Sequence, residues 1–207
     1  MMDYRKLLAK VAHKQFHHHR SDFKIANQDF MTSFRDNQIE SKSWLANNIV
    51  KVLGDDVELE HVAVLGCWNG VLLYELLSSQ IKVNHWHFFD VDEKTHLDRD
   101  LYFEANDMEK NYTSYTADVN NLFSDEGYHR MFDLIINPSG EHMYDLIPAH
   151  GPVYALVSND FRQIKGQHIN CCDSSSELRE KNGIGTLFYK GSKSFGGYSR
   201  YMVIGLR

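Results

Sequence analysis

The sequence is poor in proline and cysteine and has no long apolar run. Its 207 residues include three prolines and three cysteines, Cys67, Cys171 and Cys172, and neither a C-x-x-C nor an H-E-x-x-H spacing occurs. An odd number of cysteines without paired spacing excludes a disulfide framework, and we expect no metal site despite twelve histidines. Without about eighteen consecutive apolar residues or a signal-like start, neither membrane insertion nor secretion is expected. These absences indicate a soluble cytoplasmic protein.

The charge is negative overall and unevenly distributed. The formal net charge is −6, which makes the surface a poor general binder of nucleic-acid phosphates. Residues 1–20 nevertheless contain five Lys or Arg against one acid, so this stretch is either an RNA-facing arm or a solvated helix. Duplex DNA is therefore not an expected partner, whereas RNA stays open.

The composition, 43% hydrophobic and 24% charged, is that of one globular domain. Residues 1–37 indicate an N-terminal helical extension, and residues 38–207 the main domain. An amphipathic helix is predicted over 38–53, where Asn37 and Glu40 resemble a capping box.

From His61 onward, strand-like and helix-like segments alternate. Alternation of this kind predicts a Rossmann-like, doubly wound α/β fold with a mostly parallel sheet and helices on both faces. Two strand-like runs around the glycine-rich connection 191–197 predict an antiparallel C-terminal pair that completes a seven-stranded sheet. Strands are predicted at 62–66, 83–90, 112–116, 132–137, 152–158, 185–190 and 198–205, and helices at 71–79, 93–109, 120–127 and 141–147.

The first predicted strand ends in a glycine turn. Gly66 and Gly70 lie between the apolar run 62–65 and a predicted helix, where glycine lets the backbone approach a ligand closely. The turn is alternatively only a tight connection. A second strand ends at Asp90, whose carboxylate suits the two hydroxyls of a ribose, although Asp90 or Asp92 is also suited to cap the next helix. Together these residues indicate a cofactor that contains a nucleoside.

The chain resembles the class I S-adenosylmethionine-dependent methyltransferases over about residues 38–207. Gly66 and Gly70 match the first motif of that superfamily, Asp90 its ribose-binding acid, and Asp118 in Tyr-Thr-Ala-Asp the acid that meets the adenine amino group. The resemblance implies S-adenosylmethionine as the cofactor. The sequence departs from the first motif at Trp68, which replaces a glycine and is either a wall of the pocket or an aromatic packed on the core.

The segment Asn-Pro-Ser-Gly-Glu-His-Met, residues 137–143, follows the fourth strand. Together with the segments 38–45 and 198–205, it resembles a group of small methyltransferases carried by tailed bacteriophages, which implies a phage-encoded protein. Its start resembles the Asn-Pro-Pro-aromatic motif of amino-group methyltransferases. That resemblance implies that Asn137 contacts both the cofactor and a target amine. Glu141 and His142, expected at the start of the next helix, are candidates for a general base or an orienting pair. Alternatively, Glu141 only favours a helix N-terminus and His142 packs on the fold.

The sequence thus predicts an enzyme that transfers a methyl group to an amine nitrogen of an unidentified acceptor, a small molecule, protein side chain or RNA. Its expected catalytic residues are Asn137, Glu141 and His142, and its expected cofactor-binding residues are Gly66, Trp68, Gly70, Asp90, Asp118 and Asn137. Two alternatives stay open: an aminocarboxypropyl transferase that uses the same cofactor, and a non-catalytic module that binds a nucleoside or a protein. The oligomeric state is not predicted.

Overall fold

The structure is a computed structural model that describes residues 30–105, 111–164 and 166–207. Within these residues the chain forms seven strands: β1 Glu58–Leu65, β2 Lys82–Asp90, β3 Tyr112–Thr116, β4 Leu134–Asn137, β5 Val153–Asn159, β6 Thr186–Ser194 and β7 Ser199–Leu206. The helices are α1 Asp36–Leu53, α2 Val71–Ser78, α3 Glu93–Ala105, α4 Val119–Leu122, α5 Glu126–His129 and α6 Ser175–Lys181, with a 3-10 turn at Gly140–His142.

The strands form one mixed sheet in the order β3-β2-β1-β4-β5-β7-β6. The first five strands pair in parallel, and β7 is inserted antiparallel between β5 and β6. This arrangement confirms the predicted doubly wound sheet with its antiparallel C-terminal pair. The strand order changes direction between β1 and β4, which places their carboxyl ends beside a crevice suited to ligands.

Helices cover both faces of the sheet because successive side chains of the central strands alternate between two cores. Val62 and Val64 of β1 lie in the cluster that includes α1, α2 and α3 residues, whereas Ala63 and Leu65 lie in the cluster with α4 and α6 residues. All four residues of β4 are buried, as expected of a central parallel strand. Phe30 and Phe34, which precede α1, belong to the first core.

Three local predictions were wrong. Helix α1 begins at Asp36 after Arg35, which makes no side-chain capping bond, so Asn37 and Glu40 form no capping box. The predicted helix 120–127 is two short helices, each capped by an aspartate, Asp118 or Asp125.

The predicted helix 141–147 is a 3-10 turn followed by irregular chain. Its backbone N–H groups are bound by side chains from elsewhere: Tyr144 N donates to Asn120 Oδ1 at 3.1 Å and Leu146 N to Asn182 Oδ1 at 3.0 Å. Pro148 also disfavours helical geometry at the residue before it. Distant polar side chains therefore replace the helical hydrogen bonds here.

Two predictions lie outside the described residues, the basic arm 1–20 and most of the extension 1–37. Among the helices that the structure describes, none is both long and apolar enough to span a bilayer. The three cysteines are buried and unpaired.

Candidate functional site

A cavity of about 400 Å³ opens at the carboxyl ends of the parallel strands. Its size falls within the usual range for small-ligand sites. Residues from the loops after β1, β2, β3 and β4 line it: Gly66, Trp68, Asp90, Val91, Asp92, Thr95, Ala117, Asp118, Val119, Asn120, Ser139, His142 and Met143. Five predicted site residues, Gly66, Trp68, Asp90, Asp118 and His142, are thereby brought together, whereas Gly70, Asn137 and Glu141 are not in this lining.

The loop after β1 has left-handed backbone at three positions, Gly66 (φ 52°), Trp68 (φ 54°) and Gly70 (φ 69°). Trp68 is an uncommon residue for that conformation, and its backbone N–H donates to Asp90 Oδ2 at 2.7 Å. A Cβ on Gly70 would lie 2.7 Å from the Phe88 ring. The glycine at position 70 is therefore needed for packing as well as for backbone geometry.

Asp90 and Asp92 have separate roles. Asp92 begins α3, since its Oδ1 accepts from Lys94 N at 3.0 Å. Asp90 instead holds two loops, accepting from Trp68 N through Oδ2 and from Asp92 N through Oδ1 at 3.1 Å. Each oxygen of a carboxylate has a second lone pair, so Asp90 can also accept from a ligand in the cavity.

Asp118 lies at the next strand end and caps α4. Its Oδ1 accepts from Asn120 N at 2.9 Å and from Asn120 Nδ2 at 2.7 Å. Between the two acids lies Val91, an apolar side chain that is 71% exposed and lines the cavity. The arrangement offers acceptors at two strand ends and an apolar surface for a flat ring between them.

Asn137 is buried behind the cavity wall. Its Oδ1 accepts from Ser139 N at 3.1 Å, and its Nδ2 lies 3.3 Å from Met143 Sδ. The Met143 methyl group occupies the space that a Cβ on Gly66 would need. Met143 therefore separates Asn137 from the cavity in this structure.

Glu141 belongs to a buried polar cluster beside the cavity. Its side chain is 2% exposed, its Oε1 accepts from Asn159 Nδ2 at 2.5 Å, and Arg200 Nη2 lies 3.7 Å from the same oxygen. Lys42 of α1 is also buried, and burial together with Arg200 lowers its pKa to about 7, while Glu141 acts in the opposite direction. His142, by contrast, is exposed. The two adjacent residues thus lie in very different surroundings.

Sequence reasoning missed Val91, Met143 and Arg200. An apolar residue between two acids at a strand end was a usable signal for Val91. Nothing in the sequence indicated Arg200, because it reaches the site only through the insertion of β7 beside β5, where it pairs with Asn159.

No protein-family model and no curated protein matches the chain. Solved structures do share its fold. The CurJ carbon methyltransferase is 11% identical with a TM-score of 0.59, covering 99% of this chain and 67% of its own. The PH0226 protein from Pyrococcus horikoshii OT3 is 12% identical with a TM-score of 0.57, covering 91% and 99%.

A chain from the complex between the Haloferax volcanii Trm112 methyltransferase activator and its proposed methyltransferase is similar as well. It is 12% identical with a TM-score of 0.59, and the match covers 86% of this chain and 98% of that one. Identities this low establish the fold alone. The chain has the Rossmann-like fold found in class I S-adenosylmethionine-dependent methyltransferases.

Proposed function

We propose that this protein is an S-adenosylmethionine-dependent methyltransferase that methylates an amine nitrogen. The observation that carries the proposal is the cavity at the strand ends, lined by Asp90, Val91 and Asp118 in chain order. The fold shared with methyltransferases supports the same assignment. A phage origin and a cytoplasmic location stay predictions from the sequence.

The lining residues fit the nucleoside part of this cofactor. Asp90 has lone pairs left for the two ribose hydroxyls after accepting from Trp68 and Asp92. Asp118 accepts from Asn120 through Oδ1, which leaves Oδ2 for the adenine amino group. Val91 supplies an apolar face for the adenine ring, and Trp68 forms part of the wall.

The acceptor belongs at the Ser139 and His142 end of the cavity. The bound sulfonium supplies an electrophilic methyl group, and the acceptor nitrogen attacks it in line with the leaving sulfur. Alignment of the two reactants contributes much of such a rate. His142 is exposed at this end and lies where it can orient the acceptor, whose released proton passes to solvent, whereas the buried Glu141 orients the loop.

The side-chain amide of Asn137 would contact the acceptor amine only after Met143 moves. Its Oδ1 and the Pro138 carbonyl already accept from Ser139 N and Arg200 Nη1, the latter at 3.4 Å. An amine would use their remaining lone pairs after the flexible side chain of Met143 moves. A screen of small molecules, protein side chains and RNA as methyl acceptors identifies the acceptor class.

Calorimetry with S-adenosylmethionine and S-adenosylhomocysteine tests the proposal. We expect both to bind the wild type, and Asp90→Asn to bind roughly tenfold or more weakly, because a hydrogen bond to a charged group is lost. Asp125→Asn is the matched control, since Asp125 caps α5 and is not in the cavity lining. A folded wild-type protein that binds neither compound would show the assignment to be wrong.

Product analysis then separates the two transferase reactions. S-adenosylhomocysteine among the products indicates methyl transfer, whereas methylthioadenosine indicates transfer of the aminocarboxypropyl group. We expect the first.

A further inference from the structure

Three metal-ligating side chains lie together beside the cavity. Glu141, His142 and His168 each offer one ligand atom, and these atoms lie within 4.8 Å of one another. Backbone hydrogen bonds join the two segments that carry them, since Ile169 N and Asn170 N donate to Glu141 O at 2.9 and 3.1 Å. The cluster is therefore fixed by the fold between the turn after β4 and the loop after β5.

Each histidine of the cluster has a backbone carbonyl oxygen beside its Nδ1. His142 Nδ1 lies 3.0 Å from Gln167 O, and His168 Nδ1 lies against Phe161 O. A ring that donates its Nδ1 proton to a carbonyl presents a lone pair at Nε2, and this arrangement orients imidazole ligands in metal sites. The two rings meet edge to face with centroids 4.6 Å apart.

The carboxylate supplies an independent observation. Glu141 is 98% buried, and its Oε1 is engaged by Asn159, with Arg200 3.7 Å away. Its Oε2 is buried and has no hydrogen-bond partner among the described residues. Proteins rarely bury an acceptor in this way without a reason, and a bound cation would satisfy it.

We propose that Glu141, His142 and His168 bind a divalent transition-metal ion of the zinc type. Two imidazoles and one carboxylate form a known ligand set for such ions, and three protein ligands leave a position open for water or substrate. His142 also lines the cavity, so the ion lies at the cavity rim, where an oxygen or nitrogen of a small ligand can reach it. The site does not depend on the proposed methyl transfer.

This proposal departs from the expectation of no metal drawn from the sequence. The ligands come from two segments separated by β5, and they match none of the short spacings typical of zinc motifs. Only the fold places His168 beside Glu141 and His142.

Titration of the chelator-treated full chain with Co²⁺, followed by visible absorption and by competition with Zn²⁺, tests the site. We expect the wild type to bind one equivalent of Co²⁺. The affinity for Co²⁺ should fall roughly tenfold or more in each of three variants, His142→Ala, His168→Ala and Glu141→Gln. Two control variants should bind Co²⁺ like the wild type. His150→Ala changes an exposed histidine, and His61→Ala changes a separate cluster, in which His61 Nδ1 lies 3.1 Å from His87 Nε2.

Circular dichroism of the metal-free variants shows whether they fold. Because His142 is exposed, His142→Ala is the variant least able to disturb the core. If Glu141→Gln unfolds, Co²⁺ binding by His142→Ala tests the proposal. Wild-type protein that binds no Co²⁺, or a folded His142→Ala variant that binds it like the wild type, would overturn the proposal.

Discussion

Replacement of Lys42 by methionine should change how the stability of the protein depends on pH. Lys42 is 7% exposed, and its Nζ donates to Gln38 Oε1 at 2.5 Å. Burial and the nearby Arg200 lower its pKa from 10.5 to about 7 in the folded protein. The charged lysine therefore opposes folding, and methionine of similar shape removes that cost.

The size of the effect follows from proton binding. Well below pH 7 Lys42 is protonated in both the folded and the unfolded chain, so the buried charge lowers the stability by its full amount. As the pH rises from about 7 toward 10.5, the folded state releases this proton first, and stability increases with pH. With about 1.4 kcal/mol per pKa unit, the lysine contributes a gain of about 3 kcal/mol between about pH 6 and pH 9.

Urea unfolding of the wild type and of Lys42→Met at several pH values measures this gain. We expect the methionine variant to be the more stable at pH 6, with an advantage that shrinks by about 3 kcal/mol toward pH 9. Lys51→Met, at an exposed lysine in the last turn of the same helix, controls for the loss of a charge. A stability difference between wild type and Lys42→Met that is constant over this range would refute the reasoning.

Two further substitutions test the packing around the site. Gly70→Ala should lower the free energy of unfolding, measured in urea, by about 2 kcal/mol or more, and clearly more than Gly183→Ala does. Both glycines have positive φ, but of the two only Gly70 would bring the new Cβ against a ring, that of Phe88. Equal losses in the two variants would contradict this. Tyr154→Phe should lower the free energy of unfolding by about 1–3 kcal/mol. The buried Tyr154 hydroxyl contacts His129 Nδ1 at 2.7 Å and accepts from Ala149 N at 2.8 Å. Tyr144→Phe, at a 70% exposed tyrosine, should be neutral, and a similar loss there would count against a role for burial.

The elements that form the first two strand ends of the cavity were predictable because their signals are local. A fully apolar run ending in glycine predicts a buried parallel strand and turn, and β1, Gly66 and Gly70 follow this pattern. Asp90 is likewise placed by its own strand. What the sequence left open was which acid caps α3, and the structure gives that role to Asp92.

The acceptor end was less predictable because its contacts are long-range. The segment 141–147 has helix-like spacing, yet Asn120 and Asn182 bind its backbone N–H groups from distant parts of the chain. Glu141 was expected at an open helix start, but Asn159 and Arg200 enclose it. Patterns along the chain cannot report on partners that only tertiary structure supplies.

The position of β6 and β7 has a consequence for how one end of the cavity is stabilised. Strand β6 is an edge strand whose sheet neighbour is β7, so it is joined to the sheet only through this hairpin. Hairpins form from local contacts within microseconds, whereas docking of β7 against β5 must close a longer loop. Arg200 of β7 can approach Glu141 only when β7 is docked against β5, so a ligand bound at this end of the cavity would stabilise the docked state of the hairpin.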